Sequence, residues 1–440
     1  MVGKWAALTV SVLCCVVFTG AQIAVSGGYE IAEQTARGIG RGNAITAGVD
    51  DPSAVFINPA ALSEIPGNQA MVGFNYFNTV GRVKNGGRNS RNIHDDAFLP
   101  NLFANYHIPD SNFSVGLGTY TPFGLGTRYQ TDGFTRFAAI RSELKTLYVT
   151  PAVAWKPFSF LSVAGGLSYV HSSAFLSRAL FLGALGVGEG KLSVADSDDA
   201  FAYNFGILLT PHNSVKVGIT YRSRVDLDYH SADVKFRDAL ISGGASTRVR
   251  GEGIHVPLPP VVSAGIQWQI TPDWAAEIDY KFTRWSEFES LRIRFASPLP
   301  ALGGAVPISA LVFPQRWKDA SSVRLGTSYK LTENVEIRAG IGYDQSPIPS
   351  KSLGPAIPGA HIFGLNGGVG YTWGPLGIDL GYGALFYRDR RISNAVLEGT
   401  NVTAFSGTVP LPALTPPGLS GRDKYENFIN HVSLHVRYRF

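Results

Sequence analysis

The sequence predicts an all-β protein, a transmembrane barrel of fourteen antiparallel strands. The chain of 440 residues is only 16% charged but 12% aromatic, and it contains 50 glycines. Its best-defined segments alternate apolar and polar side chains with a period of two, as strands between lipid and a polar lumen do. Beyond roughly the first twenty residues, no apolar run is long enough to predict a membrane-spanning helix. Together these observations favour a closed membrane sheet.

Composition excludes several other classes of protein. The mean hydropathy of +0.06 is too high for a disordered chain, which combines low hydrophobicity with high net charge. The formal net charge of +5 is small for this length, and no dense Lys/Arg run is present. We therefore expect no nucleic-acid partner.

Residues 1–26 are predicted to be a secretory signal peptide. Lys4 supplies the positive start, residues 5–18 are apolar, and Ala24-Val25-Ser26 offers small residues before a cut near Gly27. Both cysteines of the chain lie within this segment. The mature protein is thus expected to lack disulfides and thiolate metal sites, and an exported barrel of this kind belongs in a bacterial outer membrane.

Residues 27–68 do not alternate and cannot be strands of the wall. They are rich in glycine and small residues, and they end in a segment that contains Asn58-Pro59-Ala60. Since fourteen strands enclose a lumen wider than side chains can fill, this stretch is either a periplasmic tail or a plug within the lumen. The residues alone leave both alternatives open.

The strands are predicted from the alternation over residues 69–440. The last strand is the clearest example: Phe428, Val432 and Leu434 share an apolar face, while His431 and His435 lie on the polar face and are predicted to line the lumen. The fourteen segments cover residues 70–80, 98–108, 112–120, 143–156, 160–178, 200–210, 214–230, 256–270, 273–295, 318–330, 334–344, 361–373, 376–388 and 428–440. An even number is what single-chain bacterial barrels have.

Connections of two kinds join these strands. Short polar turns such as Thr271-Pro272-Asp273 suit the periplasmic end, and long extracellular loops are predicted at residues 179–199, 231–255, 296–317 and 389–427. The first long loop is unusually apolar at Leu180, Phe181, Leu182 and Leu185. Exposed apolar patches mark binding sites, and the alternative is an apolar plug packed within its own loop.

Sequence motifs for catalysis or cofactor binding are not found. The glycines of residues 38–42 resemble a phosphate loop but lack the surrounding strand, turn and helix. No G-x-S-x-G elbow is present. We therefore predict that the protein is not an enzyme and has no catalytic residues, metal or cofactor.

A series of short motifs resembles the FadL family of outer-membrane transporters for long-chain fatty acids and hydrocarbons. The resemblance begins with residues 28–31, 38–42, 50–51 and 58–60, and it extends to the C-terminus. The further motifs, in order, are Leu99-Pro100-Asn101, Phe123-Gly124-Leu125, Thr220-Tyr221-Arg222-Ser223, Pro257-Leu258-Pro259-Pro260, Trp285-Ser286-Glu287-Phe288, Lys318-Asp319-Ala320 and Asp344-Gln345-Ser346-Pro347-Ile348-Pro349. Each motif is common, but their joint order is specific.

This resemblance implies a fourteen-stranded barrel with residues 27–68 as a small hatch inside the lumen. It places the hatch tip at Gly28 and Tyr29. The Asn58-Pro59-Ala60 motif would lie against an inward kink of the third strand at residues 121–124, which include Phe123 and Gly124. The hatch would release a ligand towards a lateral opening at that kink.

The resemblance also implies a ligand pocket. Arg178 matches an arginine that faces the ligand carboxylate, and Thr121 matches a hydroxyl beside it. A second cationic position of the family, a lysine, aligns with Phe313, which weakens the case for carboxylate selectivity. The loops at 179–199 and 231–255, with Leu180, Phe181, Leu182 and Leu185 in the first of them, match the pair that forms an outer apolar groove.

The function expected on these grounds is passive uptake of long-chain fatty acids, by capture in the outer groove, transfer to the pocket and lateral release. Uptake of neutral or aromatic hydrocarbons is the alternative, and a general porin or an adhesin fits less well. The expected partners are the ligand, outer-membrane lipid and lipopolysaccharide, and the barrel-assembly machinery, which would recognise the C-terminal Phe440. A monomer is expected.

Overall fold

The computed structural model describes residues 28–93, 96–181, 189–230, 233–237, 246–301, 306–392, 403–406, 409–410 and 423–440. The predicted signal peptide and the loop residues Leu182 and Leu185 lie outside the described residues. In the described part, no helix is both long and apolar enough to cross a membrane.

The described residues form 24 strands and a few short helices. The first strands are β1 (Gln69–Asn85), β2 (Arg88–Arg91), β3 (Asp96–His107), β4 (Phe113–Tyr120), β5 (Gly124–Arg128), β6 (Arg141–Phe158), β7 (Leu161–Phe181), β8 (Glu189–His212), β9 (Val215–Arg222), β10 (Val225–Tyr229), β11 (Asp233–Arg237) and β12 (Ser246–Leu258). The others are β13 (Val261–Thr271), β14 (Trp274–Thr283), β15 (Ser290–Ala301), β16 (Val306–Pro314), β17 (Ala320–Lys330), β18 (Val335–Asp344), β19 (Ile362–Trp373), β20 (Leu376–Tyr387), β21 (Arg390–Arg391), β22 (Thr403–Ser406), β23 (Val409–Pro410) and β24 (Lys424–Arg439). Two α-helices, α1 (Ala36–Gly40) and α2 (Ala54–Ile57), are followed by 3₁₀ helices at Pro59–Glu64, Phe134–Phe137 and Trp285–Glu287.

Fourteen antiparallel strands close into a barrel, which confirms the predicted fold class. The order around the wall is β1, β3, β4 with β5, β6, β7, β8, β9, β13, β14, β17, β18, β19, β20 and β24. The seam joins β1 to β24, from the pair Gln69–Arg439 to the pair Lys84–Lys424. Closure leaves no open sheet edge, whose backbone N–H and C=O groups would find no hydrogen-bond partner in lipid.

The predicted two-residue alternation corresponds to the two faces of the wall. On β14, Ile278 is 49% exposed on the outer face, whereas its neighbours Glu277 and Asp279 are 3% exposed within the lumen. His431 and His435 of β24 are fully buried on the lumen side, as predicted. The middling hydropathy of the chain therefore averages an apolar outer face and a polar inner one.

Several wall strands continue outward into a second sheet that departs from the barrel. Here β10 pairs with β12, β12 with β15, β15 with β16, and β16 with β22. Pro259 and Pro260 separate β12 from β13, and proline cannot donate to a sheet ladder. The ranges predicted as the loops 179–199, 231–255 and 296–317 thus contain strand residues: β7 and β8 leave a connection of only 182–188 between them.

Residues 28–68 lie within the barrel and pack against its inner face. Ion pairs join them to the wall, among them Arg41 with Glu277 at 2.9 Å and Lys281 with Glu30 at 2.9 Å. Asp279 accepts hydrogen bonds from the backbone nitrogens of Ile45 and Thr46, both at 2.9 Å. Pairing matters here because a buried charge left without its partner is strongly destabilising.

Lumen-facing glycines allow this segment to approach the wall closely. An added Cβ would lie within 3.0 Å of a hatch atom at Gly116, Gly206, Gly218, Gly326, Gly340, Gly368 and Gly381. At Gly340 the obstructing atoms belong to the backbone of Arg41 and Gly42, which cannot rotate away as a side chain can. At this position the backbone of the hatch therefore packs directly against the backbone of the wall.

A Gly340→Ala substitution is expected to destabilise the protein by about 1–3 kcal/mol, because overpacking a tight contact costs that much. Gly367→Ala is the matched control, since a Cβ there meets one backbone oxygen at an ordinary 3.7 Å. Urea-induced unfolding in detergent would measure both variants. Equal midpoints for the two variants would contradict a tight fit at Gly340.

Candidate functional site

The third barrel strand is interrupted between β4 and β5. Both parts pair with β6, through Tyr120–Tyr148 and Gly124–Lys145. On its other side, the ladder with β3 ends at the pair Leu102–Thr119. Among the described residues, the next backbone hydrogen bond to β5 on this side is donated by the Ile93 nitrogen to the Arg128 oxygen, at 2.7 Å. The wall therefore has a gap beside residues 121–123.

The hatch tip closes this gap from inside by extending the sheet. The Ile31 nitrogen donates to the Pro122 oxygen at 2.8 Å, and the Gly124 nitrogen donates to the Tyr29 oxygen at 2.8 Å. Glu30 and Phe123 form the corresponding antiparallel bridge. Because Phe123 and Gly124 thus bond to the tip, the residues predicted from the resemblance to lie at the tip and at the kink are in direct contact.

Gln34 spans the gap, a role that no sequence pattern predicted. Its amide nitrogen donates to the Thr121 oxygen at 2.8 Å, and its side-chain oxygen accepts from the Thr121 nitrogen at 3.3 Å. Its backbone oxygen accepts from Asn75 at 3.1 Å and also from Asn101 of β3. This one residue supplies hydrogen bonds that a neighbouring strand would otherwise make.

Replacing Gln34 with leucine is expected to speed amide exchange at Thr121 about ten-fold or more, because a buried N–H without a partner costs about 1–3 kcal/mol. Hydrogen exchange followed by mass spectrometry would measure it. Gln269→Leu is the control, since that amide bonds to Thr271 at an exposed turn. Unchanged exchange around Thr121 would show that Gln34 does not hold the gap closed.

Tyr29 anchors the tip in an aromatic cluster. Its ring centroid lies 4.6 Å from that of Trp285, 5.8 Å from Phe288 and 5.5 Å from Trp317. Its hydroxyl donates to the Pro257 oxygen at 2.6 Å. Burial raises the pKa of the Tyr29 phenol well above its usual value, so the proton that makes this bond is retained.

Gly28 is required by the same cluster. Its φ of +110° is a conformation that other residues rarely adopt, and an added Cβ would lie 2.6 Å from the Trp285 ring. The two residues predicted to form the hatch tip therefore have distinct roles in the geometry. Gly28 admits the indole, and Tyr29 contacts it.

An apolar cavity lies between the hatch tip and the outer sheet, and its volume of about 1160 Å³ includes space open to solvent. Its apolar lining includes Leu125, Leu144, Leu176, Val194, Ile254, Val256, Leu291 and Ile293, and Tyr29 forms part of its wall. The cavity therefore offers a mostly apolar surface to a ligand.

Arg178 lines this cavity, as does Phe313. The guanidinium carbon of Arg178 lies 5.1 Å from the centroid of the Phe313 ring, and Arg178 donates to the backbone oxygen of Phe137. The two positions predicted to be cationic in relatives are thus in contact here, one as arginine and one as an aromatic ring. Such a contact stabilises the cation.

Two carboxylates, Glu143 and Asp196, also line the cavity. Glu143 accepts from the Arg141 guanidinium at 2.8 Å, which offsets its charge. Among the described residues, no group of three or more His, Cys, Asp or Glu side chains is placed to hold a metal ion.

Other residues named from the sequence lie elsewhere. Thr121 is buried at the gap, where its backbone bonds to Gln34, and it is not part of the cavity lining that contains Arg178. Asn58 bonds to the backbone oxygens of Thr46 at 2.9 Å and Ile207 at 3.3 Å instead of the strand break, and Pro59 begins the following 3₁₀ helix. Leu180 and Phe181 end β7, paired with Gly190 and Glu189.

Comparison with known proteins matches most of the chain to a protein family. Residues 17–414 match the family described as "Outer membrane protein transport protein (OMPP1/FadL/TodX)". A long-chain fatty acid transport protein of Escherichia coli (strain CFT073) is 24% identical, over 87% of this chain and 91% of that protein.

Two solved structures share the fold. A FadL homologue of Pseudomonas aeruginosa has a TM-score of 0.78 at 19% identity and covers 94% of this chain and 100% of its own. The toluene transporter TodX of Pseudomonas putida has a TM-score of 0.71 at 18% identity, with the same coverage of 94% and 100%.

Proposed function

The chain belongs to the outer membrane protein transport protein (OMPP1/FadL/TodX) family, and from that premise we propose that it takes up long-chain fatty acids passively. It is a multi-pass β-barrel of the bacterial outer membrane, and its family is one of transporters for fatty acids or hydrocarbons, not of enzymes. The choice of a fatty acid and the route described next are our proposal.

The observation that carries this proposal is a buried arginine at the wall of an apolar cavity. Each buried CH₂ group stabilises a bound chain by about 0.8 kcal/mol, so a long acyl tail favours the cavity over water. A carboxylate in such a place is costly unless it is paired. Arg178, which is 3% exposed, offers that pairing with a guanidinium.

The proposed route has three steps. An apolar ligand is first captured by the outer region around Leu180, Phe181, Leu182 and Leu185, and it then enters the cavity. Displacement of the tip at Gly28 and Tyr29 opens the way to the gap beside residues 121–124. The ligand leaves through that gap into the lipid, past the lipopolysaccharide layer. Consumption of the ligand inside the cell drives the flow.

The proposal also covers the assembly of the barrel and its oligomeric state. Phe440, which is 65% exposed at the end of β24, is proposed to be read by the barrel-assembly machinery during insertion. The barrel is proposed to act as a monomer, because cavity, hatch and gap all lie within one chain.

Neutral or aromatic hydrocarbons are the second candidate ligands. The observation that favours them is Phe313, whose ring lies against the Arg178 guanidinium. A second cation at this position would favour acids, and an aromatic ring does not. The solved neighbour TodX is named as a toluene transporter. The same cavity and gap would serve such a ligand without any ion pair.

Competitive uptake in cells that depend on this protein would decide between the two candidates. The experiment measures uptake of labelled hexadecanoate with unlabelled hexadecane as competitor, and then uptake of labelled hexadecane with unlabelled hexadecanoate as competitor. We expect hexadecanoate to be taken up and to suppress hexadecane uptake. Uptake of the alkane alone would overturn the fatty-acid proposal and favour the hydrocarbon one.

A further inference from the structure

A second cavity lies below the hatch tip, between the hatch and the wall. Its empty volume is about 580 Å³. We call it the polar chamber, and its lining includes Glu30, Gln34, Thr35, Asn43, Thr46, Thr220, Arg222, Ser263, Lys281 and Arg324. Tyr29 lines the apolar cavity and the next residue, Glu30, lines the polar chamber. The tip thus separates the two spaces.

The cations of the polar chamber differ in how they are paired. Lys281 contacts Glu30 at 2.9 Å, and Arg324 contacts Asp344 at 2.8 Å. Arg222 forms no ion pair with any carboxylate of the described residues. Its nearest partners are the Phe56 oxygen at 3.4 Å and the Phe56 ring, whose centroid lies 4.4 Å from the guanidinium carbon.

A half-buried arginine that faces an internal cavity in this way is unusual, because charges inside proteins and membranes are generally paired. Thr220 and Lys281 both pair with Ser263, so three neighbouring strands present polar side chains in one row beside Arg222. A guanidinium with hydroxyls and an ammonium nearby is suited to bind a carboxylate.

We propose that the polar chamber is a second binding site, in which Arg222 and Lys281 hold the carboxylate of a fatty acid after it leaves Arg178. Displacement of the tip moves Glu30 together with Tyr29, because they are adjacent. Lys281 then loses its carboxylate partner, and the ligand carboxylate takes the place of Glu30. Gln34 lines the same chamber and closes the gap, so the head group arrives beside the exit.

This inference rests on the proposed transport of acids, but its direct test does not depend on uptake. The purified full-length protein is crystallised with 2-bromohexadecanoate, whose bromine marks the head group. We expect anomalous density for bromine beside Arg178 and, separately, beside Arg222. In Arg222→Gln the lower peak should vanish and the upper one remain. Absence of the lower peak in the unaltered protein, or its persistence in Arg222→Gln, would overturn the proposal.

Transport provides the second readout. Arg222→Gln is expected to slow hexadecanoate uptake about ten-fold and to leave hexadecane uptake unchanged, because only the acid loses a charge-assisted hydrogen bond. Arg222→Lys, which keeps the charge, should restore part of the loss. Lys216→Gln, on the same face of β9 but outside the chamber, is the control and should behave as the unaltered protein.

Equal loss for both ligands in Arg222→Gln would show a structural role and overturn the proposal. If the unaltered protein takes up hexadecane but no hexadecanoate, the proposed function fails. The bromine position still decides, in that case, whether the polar chamber binds a carboxylate.

Discussion

Replacing Arg178 with alanine is expected to reduce fatty-acid uptake roughly 10- to 100-fold, because a hydrogen bond to a charged group contributes about 1.5–3 kcal/mol. Arg178 is 3% exposed at the wall of the apolar cavity, so no bulk water replaces the lost contact. Uptake of an alkylbenzene of similar size should change little, because that ligand brings no charge. Labelled uptake of the two ligands in the same cells would measure the difference.

The control for this prediction is Arg178→Lys, which keeps the charge but not the fork of two parallel N–H groups. The fatty-acid uptake of this variant should lie between that of the alanine variant and that of the unaltered protein. If the alanine variant loses both ligands to the same degree, Arg178 holds the cavity together and is not a carboxylate partner.

Deleting residues 27–42 is expected to leave the barrel folded and to raise its ion conductance several-fold. The seam between β1 and β24 and the rest of the ladder do not include this segment. The deletion removes Arg41 and leaves Glu277 without that ion pair, but water entering the space vacated by residues 27–42 would hydrate the carboxylate. Single-channel recordings in planar bilayers would measure the conductance.

Gln34→Leu is the matched control, because it retains the hatch and disturbs only the gap towards lipid. Its conductance should remain near that of the unaltered protein. A deletion variant that conducts and transports as before would show that residues 27–42 neither block the lumen nor gate it.

Strand positions were predictable because a two-residue period reports directly which face meets lipid. The fourteen segments read from the sequence each overlap a strand of the wall, and the lumen positions of His431 and His435 were correct. The outer sheet was not predicted: beyond the membrane the outer face meets no lipid, and the alternation weakens. The run from Ala179 to Phe181 therefore looked like a loop although it continues β7.

The candidate site was less accessible to sequence reasoning. Arg178 and Phe313 could be paired through the resemblance, and they do meet across the cavity. Gln34 could not be found, because its partners Thr121 and Asn101 are remote in sequence and no local pattern marks them. Arg222 was visible only as a member of the Thr220-Tyr221-Arg222-Ser223 motif. Its significance depends on which carboxylates are absent around it in the folded chain.

The seam between β1 and β24 also sets the order in which the molecule can assemble. Gln69 pairs with Arg439, so this ladder forms only after nearly the whole chain is available, and such non-local contacts are slow to form. Residues 28–68 precede β1 and end up enclosed by the wall that the seam completes. Forming this last ladder therefore both completes the wall and confines the hatch within it.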